Sequence, residues 1–470
     1  MLRIGFYSPI LTLILLLLSN LTFAATTANN YTGMVPVLQG YTNETTSFIT
    51  ALRNPSEELT YELTNKDATL KIKTNSVGHD HEVDTLEVSG LKSGVEYELL
   101  IKNKYGKIVD AREFKSLNQT QEDPKIAVCS CARVGLLSPD DKSRSMWDRL
   151  MDQKPNAIFF LGDLVYGDNA AQAVLKWAIR KFHFYHPSFD YIEKRYIESW
   201  KNERIYRQPK MIPMYTVWDD HDYGYDAADF SNPFKKKMLT LFRSYYPVPP
   251  ADEVISRGPG VSYSFSIYGK KVLMLDNRSF YNVGDKVLLG MDQINWIEEQ
   301  IKNQKEVVVT SGMSILNISP DQESLQRDAP SEWQAFRNIF RSHGTKAIFL
   351  TGDVHYSEVR EVPEHVFGYK TYVVVSSHMH STSPRITPPF KSGKSSSPEQ
   401  LAFVGGRNFA VLTMKSLFQK LDAVFHRHKG LAPIKFVGDY GHSEAIRECK
   451  QFYSAAKGRN MFPGFTGMGQ

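Results

Sequence analysis

The chain has 470 residues, 42% of them hydrophobic, 12% aromatic and 23% charged, with a formal net charge of +5. This is globular composition with length for two or three domains. The small positive charge is scattered, and Lys235-Lys236-Lys237, the one tight basic run, reads as a solvated face; a nucleic-acid footprint, which needs basic clustering, is excluded.

In chain order, Arg3 precedes an apolar stretch from Ile10 to Leu18, and Thr22-Phe23-Ala24 offers a small residue before a cut. The stretch is short for a bilayer span and reads as a secretory signal peptide, residues 1–24, with a retained membrane anchor as the alternative. No twin arginine is present, which favours the general secretory route, and no later segment has the roughly 18 uncharged apolar residues of a transmembrane helix. The expected location is secreted or periplasmic. Three cysteines follow, Cys129, Cys131 and Cys449, an odd number for an exported chain. Cys129 and Cys131 flank one residue on a predicted strand, where a mutual disulfide would strain the backbone. One of them is a candidate thiolate ligand for a metal.

Residues 31–118 read as a small all-β unit. Val95, Tyr97, Leu99 and Ile101 alternate with mostly polar residues, and Lys104-Tyr105-Gly106-Lys107 is a turn into a second strand, Ile108 to Phe114. Short alternating runs without a helical stretch predict a β-sandwich, and Gly90 to Tyr97 weakly resembles a fibronectin III or Ig-like module. After a polar linker, Asn118 to Pro124, the pattern changes. Ile126 to Ser130 is a buried-type strand. Ser138 and Pro139 predict a helix start, and Ala157 to Leu161 forms a second apolar strand ending in Gly162-Asp163. Later, Ser331 with Gln334 predicts a capping box. Trp333, Phe336, Ile339 and Phe340 give the helix its apolar face, Gly344 ends it, and Ala347 to Leu350 runs as a strand into Gly352-Asp353-Val354-His355. Strands alternating with helices predict an α/β domain, here residues 124–465, with ligands at the carboxyl ends of the strands. Cys131, Asp163, Asp219 to Asp222, Asp276 and Asp353 to His355 all fall at such ends. Ser381 to Glu399 is a Ser/Pro-rich surface loop, and the tail from Gly458 is Gly-rich.

Carboxylates facing each other at strand ends repel, and several together make sense where cations compensate them. Taken singly, Asp163 is equally a turn or cap residue, and Asp353 with His355 equally caps a loop. Trp218-Asp219-Asp220-His221-Asp222-Tyr223-Gly224 sets three carboxylates around a histidine, with Asp220 the ligand candidate and a plain charged turn the alternative. Asp276 could orient a ligand and Arg278 could fork onto a carboxylate or phosphate, a structural salt bridge being the other reading.

Four segments together resemble the PhoD-type alkaline phosphatases, a branch of the metallophosphoesterases: Ser130-Cys131, Gly162 to Asp168, Trp218 to Gly224, and Gly352 to His355. Leu275 to Arg278, and Leu289-Gly290 with Gln293 and Trp296, fit as well. The resemblance implies a four-layer α/β sandwich preceded by the small β-sandwich. It implies Fe3+ held by Cys131, Tyr166 and His355, with Asp163 between iron and Ca2+ and Asp353 on the calcium side. Thiolate and phenolate suit trivalent iron, and carboxylate oxygens suit calcium. The chain departs from the family at Asp226, which would have to take the calcium-ligand role of the usual asparagine with an added negative charge, and at Leu164, where a polar residue is frequent. His221 is the candidate proton donor or phosphate contact.

The resemblance further implies a phosphoester hydrolase acting by metal-assisted, in-line attack of hydroxide on phosphorus. Its substrate would be a small phosphoester, or lipid or cell-wall phosphodiesters for a phospholipase-like enzyme. A non-catalytic surface binding protein with a degenerate phosphatase domain is the alternative of a different class.

Overall fold

The computed structural model describes residues 35–133, 146–168, 187–250, 255–316, 322–381, 399–428 and 431–439. The expected signal peptide, the Ser138-Pro139 helix start, Cys449, the Gly-rich tail and nearly all of the Ser/Pro-rich loop lie outside them. Among the described residues, no helix is long and apolar enough to cross a membrane.

The first seven strands form two antiparallel sheets. One contains β1 (Val37–Thr42), β2 (Thr46–Arg53), β4 (Thr69–Ser76) and β5 (Glu82–Ser89), and the other β3 (Thr60–Leu63), β6 (Glu96–Lys102) and β7 (Ile108–Lys115). Along β6 burial alternates, with Tyr97, Leu99 and Ile101 turned inward as the period-two pattern requires. They meet Ile49, Leu86 and Phe114 in one core.

Beyond these, β8 (Lys125–Cys129), β9 (Ala157–Leu161) and β10 (Met214–Val217) run parallel in a six-stranded sheet. Antiparallel β19 (Asn408–Thr413), β20 (Lys420–Arg427) and β21 (Ile434–Asp439) extend that sheet past β8. The second sheet has eight strands in the order β11 (Ser256–Arg257), β12 (Tyr263–Ile267), β13 (Lys270–Leu275), β14 (Glu306–Ser311), β15 (Lys346–Thr351), β17 (Thr371–Ser376), β16 (Ser357–Val362) and β18 (Gln400–Val404). Its parallel centre is β13, β14, β15 and β17.

The central strands are apolar on both faces because both are covered. Val128, Phe159 and Tyr215 of the six-stranded sheet share a cluster with Phe265, Met274 and Ile348 of the other. The Tyr215 and Phe265 rings stack there at 4.4 Å and 7°. On the outer face of the first sheet, Ile158 and Phe160 pack with Tyr196 and Trp200 of the helix Phe189–Asn202. On the outer face of the second, Leu273, Val309 and Phe349 pack with the helices Met291–Ile301 and Pro330–His343.

Helix Pro330–His343 has the expected apolar face and ends at Gly344 in the left-handed conformation (φ 63°). Its start differs from the capping box read in the sequence. Ala329 is the N-cap, without a side-chain cap bond, and Pro330 takes the first turn, whose missing N–H costs nothing there. Ser331 therefore sits inside the helix. Its neighbour Glu332 accepts the amides of Leu288, Leu289 and Gly290, so it ties down the turn that leads into Met291–Ile301 instead of capping its own helix. Lys235 to Lys237 open the helix Lys235–Tyr245 and are exposed, as expected of a solvated face.

Candidate metal centre

The turns that follow β8, β9 and β15 converge, and the chain pays for this in backbone conformation. Cys131, Asp163, Asp353 and His355 all have left-handed φ, at 59°, 61°, 71° and 57°. A non-glycine residue there costs on the order of 1–3 kcal/mol and persists where the surroundings enforce it. The reason lies in close approach. A Cβ on Gly352 would stand 2.5 Å from the Leu161 carbonyl, and one on Gly162 2.4 Å from Asp219 Cβ. With glycine at both positions the loops touch, and the next residue of each turns its side chain into the shared space.

Cys131, Asp163 and His355 each offer a ligand atom, all within 4.8 Å of one another. The Cys131 sulfur lies 3.4 Å from Asp163 Oδ2. The Tyr166 hydroxyl lies 3.2 Å from the same oxygen and 3.4 Å from His355 Nε2. Asp163, Asp220 and His221 form a second trio by the same criterion. Asp163 thus belongs to both, and its buried Oδ1 has no partner among the described residues.

Electrostatics sharpen the picture. Burial pushes the Cys131 thiol up to about 12 and raises the Asp163 carboxyl well above the usual range. Asp353 is likewise raised, by burial and then by Asp219 beside it. Burial, helped by His378 and His221, drops His355 to about 3 and leaves it a neutral imidazole. Without a counter-charge, thiol and carboxyls would therefore be protonated. A cation reverses that preference, since ligand sulfur and oxygen must be deprotonated. A soft sulfur, an imidazole, a phenol and carboxylates around an orphaned oxygen fit a metal centre.

His221 behaves differently. Burial disfavours its charge, but Asp168, Asp220 and Asp163 outweigh burial and hold it protonated well above the usual imidazole range. Asp168 Oδ1 sits 2.9 Å from Nδ1, which makes that nitrogen an N–H and leaves Nε2 as the other proton site. Asp220, despite burial, is held at about 2 by His221, Arg278 and the amides of Ala227 and His221.

The remaining residues singled out in the sequence have clear places. Asp222 accepts the amides of Asp163, Val165 and Asp219, so it ties the β9 turn to the short helix Asp220–Tyr223. Asp276 accepts Trp218 Nε1 and the amides of Val261, Arg278 and Ser279, so it holds backbone rather than orienting a ligand. Arg278 is fully buried; its Nε donates to Asp219 and its Nη1 to Glu323, and its Nη2 has no partner among the described residues. Asp353 is adjacent to Asp219 but outside both trios, as is Asp226. Asp226 is exposed, and its amide donates to Asp168 Oδ2. Cys129 is buried and free on its strand. Sequence reasoning missed Glu323, which no motif flags, and gave Asp168 no role although it stands inside a quoted motif.

The family profile described as PhoD-like phosphatase matches residues 126–400. The chain belongs to the PhoD-like phosphatase family. These are metal-dependent phosphoesterases, and the two trios lie within the matched span. Among solved structures, that of PhoD is 15% identical, covers 90% of this chain and 96% of its own, and superposes with a TM-score of 0.59, a likeness of fold. Vps29 from Entamoeba histolytica, complexed with zinc, is 10% identical over 67% of this chain and 99% of its own, at a TM-score of 0.28, too low to bear on the fold. No curated protein matches the chain.

Proposed function

We propose that this PhoD-like protein is an exported phosphatase or phosphodiesterase whose metals are gathered around Asp163. The observation that carries the reading is the pair of trios sharing Asp163, with an oxygen that has no partner among the described residues. Cys131, Tyr166 and His355 would hold iron on one side of Asp163. Asp220, with Asp353 nearby, would serve calcium on the other. The shared core between the two sheets and the helix-covered outer faces support a four-layer sandwich for residues 124–465, with a separate β-sandwich at 31–118. The N-terminal stretch up to Ala24 supports export through the secretory route.

When bound, such cations acidify water and neutralise charge on phosphoryl oxygens. The chain's own residues supply the rest. Asp168 fixes the His221 ring through Nδ1, and Nε2 holds the proton that passes to the leaving oxygen as its bond to phosphorus breaks. By accepting the Asp163 and Val165 amides, the Asp222 carboxylate clamps the turn that presents Asp163. Arg278 holds Asp219 in place from the far side. No serine or cysteine nucleophile is needed.

The test is the mature chain purified and measured for bound iron and calcium, with p-nitrophenyl phosphate and bis-p-nitrophenyl phosphate hydrolysis followed before and after chelation. The expected result is bound metal and activity lost on chelation and restored by metal. Activity without metal, indifferent to chelators, would overturn the reading. No hydrolysis of either ester by the metal-loaded chain would favour the binding-protein alternative.

A further inference from the structure

The Cys131 sulfur has a neighbour that neither the metal trios nor the family motifs account for. Ser377, just past the end of β17, is buried, and its Oγ lies 3.1 Å from Cys131 Sγ. The same Oγ accepts the backbone N–H of His355 at 2.9 Å. One side chain thus bridges the turn bearing the sulfur and the turn bearing the imidazole.

The direction of the bridge follows from the chemistry. A ligating cysteine is a thiolate and has no proton to give, so the hydroxyl must be the donor to sulfur. The other nearby hydroxyl is committed elsewhere: Ser130 Oγ donates to the Ser376 carbonyl at 3.2 Å and lies 3.4 Å from the sulfur. Ser377 is itself held from behind. Its amide donates to Ser357 Oγ, which donates to Asn408 Oδ1 at 2.6 Å, and Asn408 Nδ2 donates to the Gly406 carbonyl. The network is satisfied at each step and ends in one hydroxyl proton aimed at sulfur, a rigid arrangement in a low-dielectric interior.

We infer that Ser377 is a positioning residue whose O–H donates to the Cys131 thiolate and sets how strongly that sulfur gives charge to the metal. This rests on Cys131 being a metal ligand, as proposed above. A hydrogen bond withdraws charge from a ligand sulfur, so it moves sulfur-to-metal charge transfer to higher energy, and losing such an outer partner typically weakens metal affinity by about 10-fold or more.

The probe is Co2+ loaded into the purified, metal-stripped chain, read by its near-ultraviolet sulfur-to-cobalt absorption and by titration of half-saturation. Wild type should show the band and Cys131→Ala should abolish it; absence of the band in wild type would overturn the ligand assignment and this inference with it. Given the band, Ser377→Ala should shift it to lower energy and weaken half-saturation by about 10-fold. Ser377→Thr, which keeps the hydroxyl, should restore both, and Ser130→Ala should move the band less than Ser377→Ala. Should Ser377→Ala fail to fold, Ser377→Cys, with a weak donor of similar shape, is expected to shift the band in the same direction. An unmoved band in whichever of these folds, or equal shifts in Ser377→Thr and Ser377→Ala, would overturn the inference.

Discussion

The N-terminal sandwich and the strand-end site both bury charge, and they resolve it in opposite ways. In the sandwich, Asp110 accepts Arg112 Nε and Nη2 together with the Val35 and Ala111 amides, while Arg112 Nη1 reaches the Gln208 carbonyl. Asp84 takes Arg53, Tyr61 and Thr74. None of these charged atoms is left without a partner. At the strand ends, by contrast, Asp163 Oδ1, Asp219 Oδ2, Asn277 Oδ1 and Arg278 Nη2 are buried with none among the described residues. An orphaned buried polar atom costs on the order of 1–3 kcal/mol. Several gathered where four residues also hold left-handed backbone call for a partner from outside the chain. Satisfied ion pairs mark structure, and orphaned polar atoms gathered in one place, unlike the single ones at Gln39 and His81, mark a site.

The largest expected effect breaks the site and spares the sandwich. Asp163→Ala removes the one residue common to both trios, so metal content by mass spectrometry should fall and phosphoester hydrolysis should drop by more than about 10²-fold. Its folding transition should persist, because Asp163 satisfies nothing the sandwich needs. Next comes a matched pair of buried arginines. Arg112→Met strands Asp110, and Arg278→Met strands Asp219 and Glu323; removing one partner of a buried ion pair costs about 3–5 kcal/mol, read as a lowered denaturation midpoint. Only Arg278→Met should also lose activity, by about 10-fold to 10²-fold, since Asp219 adjoins Asp353 and Asp220. Equal losses of activity from both would dissolve the distinction between the regions.

The contrast also explains what the sequence could disclose. The strand ends were legible because apolar runs stop abruptly at Gly162-Asp163 and Gly352-Asp353, and a glycine before an acid there signals close approach. The α/β alternation and the sandwich were legible from period-two and helical patterning. Ser377 and Glu323 were not, because they reach the site only through tertiary packing of β17 and of the segment before the helix Leu325–Asp328. Asp276 looked like a ligand holder from its place after an apolar strand, yet the backbone amides of Val261 and Ser279, distant or unmarked in sequence, claim it. The mistaken cap at Ser331 has the same cause, a local motif outvoted by Pro330 and by the need of Leu288 to Gly290 for Glu332.

A smaller effect appears when metal is removed without mutation. Asp163 and Asp353 are raised well above their usual range, Asp222 to about 7 and His221 also upward. Groups raised in the folded state stabilise it fully below their unfolded values and lose that contribution as pH climbs through the folded ones. His355, lowered to about 3, and His378, lowered to about 4, work the other way, but only below the ordinary imidazole value of about 6.5. Between about pH 6.5 and 8.5 the raised groups act alone, so the metal-free chain should melt at lower temperature as pH rises. The loaded chain should show little slope, because cations hold the carboxylates ionised throughout. Asp353→Asn, which cannot ionise, should flatten the metal-free slope while weakening metal binding. A metal-free chain as insensitive to pH as the loaded one would mean these acids are compensated from within, as they are in the sandwich.

The smallest effect concerns Asp226, where the sequence resemblance leads one to expect an asparagine. Its side chain is exposed, and it reaches the site by its amide, which donates to Asp168 and so helps aim His221. That bond belongs to the backbone and survives any replacement but proline. Asp226→Asn removes the charge without altering the amide. Stability should therefore stay within about 0.5 kcal/mol, with kcat/KM and calcium content close to wild type. A fall in calcium affinity would show instead that the carboxylate swings inward onto a cation. The extra negative charge would then be part of the metal centre, and the boundary between solvated turn and site would have to be drawn one loop further out.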